Sequence, residues 1–143
     1  MVIQRLYLQK YDWTVTAYYA VSRYYIDKIM DNLERICSED NYLESAYNNL
    51  KRNNLDSGLT YSNYRKKESV LVVALASSAE QFHRALMHEI RHLQSHIATV
   101  YNIDEKGEEV CYLLDDIVGE VHKVTAPLIC ECCRAKHKHH ERR

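Results

Sequence analysis

Apolar residues in this chain recur with two periods, and the switches between them mark the elements. Ile3 to Gln9 and Trp13 to Val21 are rich in β-branched and aromatic residues, which predicts one or two strands joined near Lys10–Asp12. Ile26, Ile29, Met30, Leu33 and Ile36 then recur at helical spacing, predicting a helix from about Tyr24 to Cys37. A weaker helical pattern runs from about Tyr42 to Leu50, with Leu43, Ala46, Tyr47 and Leu50 on one face. Asn53 to Gly58 is polar and reads as a turn. Leu59 and Tyr61, followed by Val70 to Leu75, predict a hairpin with Asn63 to Lys67 near its tip. Ser77-Ser78 before Ala79, Glu80 and Gln81 is a helix start, with a serine cap and an acidic first turn. The helix predicted from Ser78 to Val100 carries Phe82, Leu86, Leu93, Ile97 and Val100 on its apolar stripe. Asn102 to Lys106 is a short polar connection. Gly107 opens another helix with Val110, Leu113, Leu114, Ile117 and Val121 on one face, which Thr125-Ala126-Pro127 ends or kinks.

This order predicts an α+β domain, with helices packed on one side of a small sheet. A length of 143 residues suits one domain, expected over residues 1–129, with a Cys/His-rich basic tail over 130–143. Only 3 Gly and 1 Pro argue against long flexible linkers. Twelve Tyr against 1 Phe and 1 Trp imply a thin core edged by rings whose hydroxyls stay wet. The net charge of −1 predicts no specific nucleic-acid binding and no affinity for acidic membranes. The Met1–Lys10 start has no apolar core of a signal peptide, and the longest apolar run, Val70 to Ala76, is too short to span a bilayer. A cytoplasmic protein is therefore expected, and the odd count of 5 Cys does not suggest a disulfide framework.

The chemistry concentrates in His88-Glu89-Ile90-Arg91-His92, an H-E-x-x-H inside the helix predicted from Ser78. Residues four apart leave one face of a helix, so both imidazoles can meet one ion. Glu89 lies one step round, where it can hold a water. This is the arrangement of a zinc hydrolase site, with Glu89 as general base and Zn²⁺ as cofactor. A catalytic zinc needs a third protein ligand. The next helix begins with Glu108-Glu109, and antiparallel packing folds its first turn back toward the histidines. Helical phase puts Glu109 near the Leu113 stripe and Glu108 away from it, so phase alone favours Glu109.

Taken together, these features resemble the gluzincin branch of zinc metallopeptidases, in which H-E-x-x-H lies on one helix and a glutamate ligand on the next. The resemblance spans about Leu59 to Val121. It looks particularly like small zincin-like proteins of phages and mobile elements, in which a glutamate precedes a Tyr-Leu pair by four residues. The matching segment is Glu108-Glu109-Val110-Cys111-Tyr112-Leu113. The resemblance implies Zn²⁺ held by His88, His92 and Glu108, with Glu109 as the alternative. It implies a metallopeptidase acting on a protein or peptide substrate. It also implies an edge strand beside the metal to receive an extended peptide, for which Val70 to Leu75 is the candidate. The other reading is a catalytically inactive zincin-like phage or mobile-element protein working through protein–protein contacts. A weaker alternative is a regulator that binds or cleaves a repressor.

Several residues remain as accessories. Tyr61, Tyr112 and His122 are candidates for stabilising an oxyanion, although none stands in a diagnostic motif. His96, one turn beyond His92, would close the site if it became a fourth ligand. His83 lies on the same helix. Asp115 and Asp116 could orient a ligating histidine, but an exposed polar face explains them as well. Cys130, Cys132, Cys133, His137, His139 and His140 are soft ligands in a segment without apolar residues, which reads as a flexible basic tail rather than a second metal centre.

Overall fold

The computed structural model describes residues 1–22, 25–37, 40–51 and 58–133. Strands β1 (Val2–Leu8) and β2 (Trp13–Val21) are followed by helices α1 (Ile26–Ile36) and α2 (Asp40–Lys51). Then come β3 (Gly58–Asn63), β4 (Glu68–Ala74), α3 (Ala79–Tyr101) and α4 (Glu108–Thr125). Each lies within a few residues of its sequence-predicted position. The Tyr24 start of the first helix and most of the Asn53–Gly58 turn fall outside the described residues.

The four strands form one mixed sheet in the order β1-β2-β4-β3. β1 pairs antiparallel with β2, β2 runs parallel to β4, and β3 pairs antiparallel with β4. The parallel neighbours β2 and β4 require a crossover, and α1, α2 and β3 supply it. β4 is therefore interior, and the outer strand on that side is β3. The expectation that Val70 to Leu75 forms an edge is corrected: its backbone is paired on both sides.

The helices cover both faces of the sheet, which corrects the expected one-sided packing. On one face, α3 and α4 pack over Trp13, Val15, Ala17, Tyr19, Leu71 and Val73. On the other, α1 and α2 pack over Tyr18, Val21, Leu59, Val70 and Val72. The reason is visible in β4: Val70, Leu71, Val72 and Val73 are all buried, and an unbroken apolar run marks a strand covered on both faces. In β2 a register shift between Tyr19 and Val21, with Ala20 at φ +56°, sends these two odd-numbered side chains to opposite faces.

α3 is the element that positions the candidate site. Ser78 caps it by accepting a hydrogen bond from the Gln81 N–H at 3.1 Å. Asn102, in the left-handed region at φ +52°, closes its other end. Phe82, Leu86, Ile90, Leu93 and Ile97 are buried against the sheet and α4, each contributing about 1.5–3 kcal/mol. Gln94 donates from Nε2 to the Val110 carbonyl at 2.9 Å, and Ser95 donates to Glu105 at 2.9 Å. These two bonds fasten the turn between α3 and α4 and the first turn of α4 alongside α3.

Candidate metal centre

His88 and His92 lie on the solvent side of α3, and both are exposed. Their Nε2 atoms are 3.2 Å apart, with ring centroids 4.9 Å apart at an interplanar angle of 72°. Together with His83, Arg84, Met87 and Arg91 they line an open depression of about 550 Å³. Arg84 makes a 3.5 Å contact with Glu80, and Arg91 a 3.8 Å contact with Glu105, both largely exposed. Such exposed pairs contribute little to stability, so they do not account for the convergence of the rings.

Glu89 points elsewhere. It shares a helical face with Phe82 and His96 at seven-residue spacing, which turns it toward β3. It is only 2 % exposed, and its Oε2 accepts a hydrogen bond from Thr60 Oγ1 at 2.5 Å. Thr60 Oγ1 also lies 3.2 Å from the Glu89 backbone carbonyl. Burial pushes the Glu89 carboxyl up from 4.5, opposed by the Thr60 hydrogen bond and by the nearby His92 and His88 rings. Both imidazoles thus lie within electrostatic reach of the carboxylate.

One turn beyond His92, His96 Nδ1 meets Ser62 Oγ at 2.7 Å. Ser62 Oγ in turn meets Ser69 Oγ at 2.6 Å, and Ser69 Oγ accepts from Trp13 Nε1 at 2.7 Å. The Tyr64 ring stands edge-on to His96, with centroids 5.7 Å apart. Burial lowers the His96 pKa, and the proximity of His92 lowers it further. His96 is therefore tied to the sheet through Nδ1, in a position distinct from the exposed His88–His92 pair.

Thr60, Ser62 and Ser69 were not singled out in the sequence. The available signal was strand parity: Thr60 pairs with Leu71 and Ser62 with Ser69, so all four face α3. Glu89 and His96 find their partners on that strip, and a polar strip facing an apolar helix calls for polar residues in return.

The remaining candidates are placed as follows. Glu108 and Glu109 stand in the first turn of α4, and both are exposed. Helical phase drew Glu109 toward the apolar stripe, yet Val110 and Leu113 are the buried residues there. Among the described residues, no group of three or more His, Cys, Asp or Glu side chains is gathered as a metal would require. The donor set therefore fits an ion through its two histidines, while the third ligand is not drawn in. Tyr61 packs on Tyr42 with ring centroids 4.4 Å apart, in the α1–α2 core across the sheet from α3, which removes it as an oxyanion donor. Tyr112, Asp115, Asp116 and His122 are exposed on α4. Cys130, Cys132 and Cys133 are exposed, and His137, His139 and His140 lie outside the described residues. No helix among the described residues is long and apolar enough to cross a membrane. No protein family, curated protein or solved structure was found to match this chain.

Proposed function

We propose that this chain is a zinc-binding, zincin-like protein that hydrolyses peptide bonds. His88 and His92 hold Zn²⁺, and Glu108 completes the ligand set, with Glu109 as the alternative. The observation that carries this reading is the 3.2 Å separation of the two Nε2 atoms. Nitrogen ligands sit about 2.0–2.1 Å from zinc, so that spacing corresponds to an N–metal–N angle of roughly 100°, close to tetrahedral. The i, i+4 spacing brings the two rings together, and an ion would take the place of the direct Nε2–Nε2 contact.

Zinc bound there supplies a Lewis acid that acidifies a water and polarises a carbonyl. Glu89 is the residue that would serve as general base there. Its burial suits the role, because a raised carboxyl accepts and returns a proton closer to neutral pH than an exposed one does. Thr60 fixes its Oε2. The substrate on this reading is a protein or peptide.

A second reading is favoured by two specific observations: the Glu89 carboxylate is already engaged by Thr60, and both glutamates of α4 are exposed. On that reading the protein is a catalytically inactive zincin-like phage or mobile-element protein that acts through protein–protein contacts. Zinc-loaded and zinc-stripped protein, each incubated with a denatured protein mixture, separates the two. Zinc-dependent cleavage that is lost in Glu89→Gln supports the peptidase. Zinc-induced thermal stabilisation without cleavage rejects the peptidase and supports the second reading.

A further inference from the structure

The depression beside the two histidines has a charge character of its own. His83, Arg84, Met87, His88, Arg91 and His92 line it, and none of them is acidic. They form two neighbouring rows on α3 at i, i+4 spacing, His83-Met87-Arg91 and Arg84-His88-His92. Arg84 heads the row that ends in the histidine pair, and Arg91 ends the other row beside His92. The two arginines lie within about 20° of each other around the helix and roughly 10 Å apart along its axis. Met87 comes between them and packs partly into the core. Glu89 does not line the depression, because it is buried against Thr60.

Neither guanidinium is fully engaged. Arg84 is 77 % exposed and reaches Glu80 at 3.5 Å, while Arg91 is 57 % exposed and reaches Glu105 at 3.8 Å. Both contacts are longer than an ordinary N–H···O bond, and neither carboxylate lines the depression. Exposed pairs of this kind contribute little. An incoming carboxylate therefore displaces Glu80 or Glu105 at small cost, and it can take the forked, two-bond geometry that a guanidinium offers.

We propose that this depression docks acidic peptide segments, with Arg84 and Arg91 as the residues that select them. Two carboxylates of one segment engage the two guanidiniums, with the Met87 side chain between them. The substrate that this predicts is a protein or peptide rich in Asp or Glu beside the bond presented to the metal; that part rests on the reading of His88 and His92 as a peptide-acting centre. Nucleic acid fits the surface less well. The chain has a net charge of −1, and no Tyr, Trp or Phe lines the depression to stack a base.

The test is fluorescence anisotropy of labelled peptides of matched length, one rich in Glu, one with Gln in place of Glu and one with Lys, against the full chain with and without Zn²⁺. Several-fold tighter binding of the Glu peptide than of the Gln peptide is expected, weakening as salt is raised. Arg84→Gln/Arg91→Gln should abolish that preference. Both positions are exposed and Gln is a good helix former, so the fold is kept. Lys28→Gln/Arg65→Gln, which removes two exposed cations elsewhere, should retain it. Equal binding of the Glu and Gln peptides overturns the proposal, as does a preference that survives loss of both arginines. An oligothymidylate bound more tightly than the Glu peptide overturns it as well. Zinc titration of the same samples reads the metal centre separately. Normal zinc binding without the acidic preference rejects the docking site alone. An arginine-dependent preference in a protein that binds no zinc supports the docking site and rejects the metal centre.

Discussion

Glu89, the acid of the H-E-x-x-H, is joined to Thr60 of the outer strand β3 by a 2.5 Å hydrogen bond, 29 residues away in sequence. This contact fastens the metal-candidate helix to the sheet edge and fixes one oxygen of the proposed base. Thr60→Val removes the donor to the Oε2 of a buried carboxylate. It is expected to destabilise the protein by about 1–3 kcal/mol in chemical denaturation. Thr60→Ser, which keeps the hydroxyl, should recover most of that loss. Equal stability of the Val and Ser variants contradicts the assigned role.

Ser69 is 2 % exposed and links Trp13 Nε1 to Ser62 Oγ and, through it, to His96. Ser69→Ala orphans the buried indole N–H. A loss of about 1–3 kcal/mol is expected, seen as a lower denaturation midpoint at unchanged slope. An unshifted midpoint shows that the relay does not support the fold.

The pH dependence of stability should report His96. Its pKa is depressed from 6.5 in the folded protein by burial first and by His92 second. The unfolded chain therefore binds the proton more readily. The stabilisation is fully present above pH 6.5 and is lost as pH falls below it toward the lower folded value. Ser62, the Tyr64 ring and His92 are the groups that face or influence His96. In metal-free protein, the melting temperature of the wild type should fall more steeply below this pH than that of His96→Gln. Parallel curves contradict the assignment.

Gly58 begins β3 at φ +127°, and a Cβ there would lie 1.8 Å from the Val72 carbonyl oxygen. Gly58→Ala thus adds both strain and a backbone clash at the strand that carries Thr60 and Ser62. A loss of at least about 3 kcal/mol is expected. Hydrogen exchange should show β3 amides deprotected in the variant; native protection there contradicts the account.

The glutamate pair of α4 separates by substitution. If Glu108 completes the site, Glu108→Gln weakens zinc affinity more than Glu109→Gln does. Calorimetric titration of both variants decides it, and a larger loss in Glu109→Gln assigns the ligand to the other residue. An equal, negligible effect removes α4 from the site.

Local pattern explains what was legible in the sequence. The helical stripe of Phe82, Leu86, Leu93 and Ile97, the Ser78 cap and the strands around Trp13 and Val70 all have signals that lie within one element. The facing of His88 and His92 was legible for the same reason, since four residues of helix determine it. What escaped depends on residues distant in sequence. The second helical layer required knowing that β4 lies between β2 and β3, although its unbroken run of four buried residues carried a hint of double coverage. The engagement of Glu89 by Thr60 required the α3–β3 docking, which no spacing within either element encodes.

The most direct test of the account is X-ray absorption at the zinc edge on the full chain loaded with one equivalent of Zn²⁺. Coordination by His88 and His92 predicts a nitrogen/oxygen shell at about 2.0–2.1 Å containing two imidazoles, absent from a His88→Ala/His92→Ala variant. A sulfur shell near 2.3 Å, which would place the ion on the C-terminal cysteines, contradicts it. So does a spectrum unchanged by removing the two histidines.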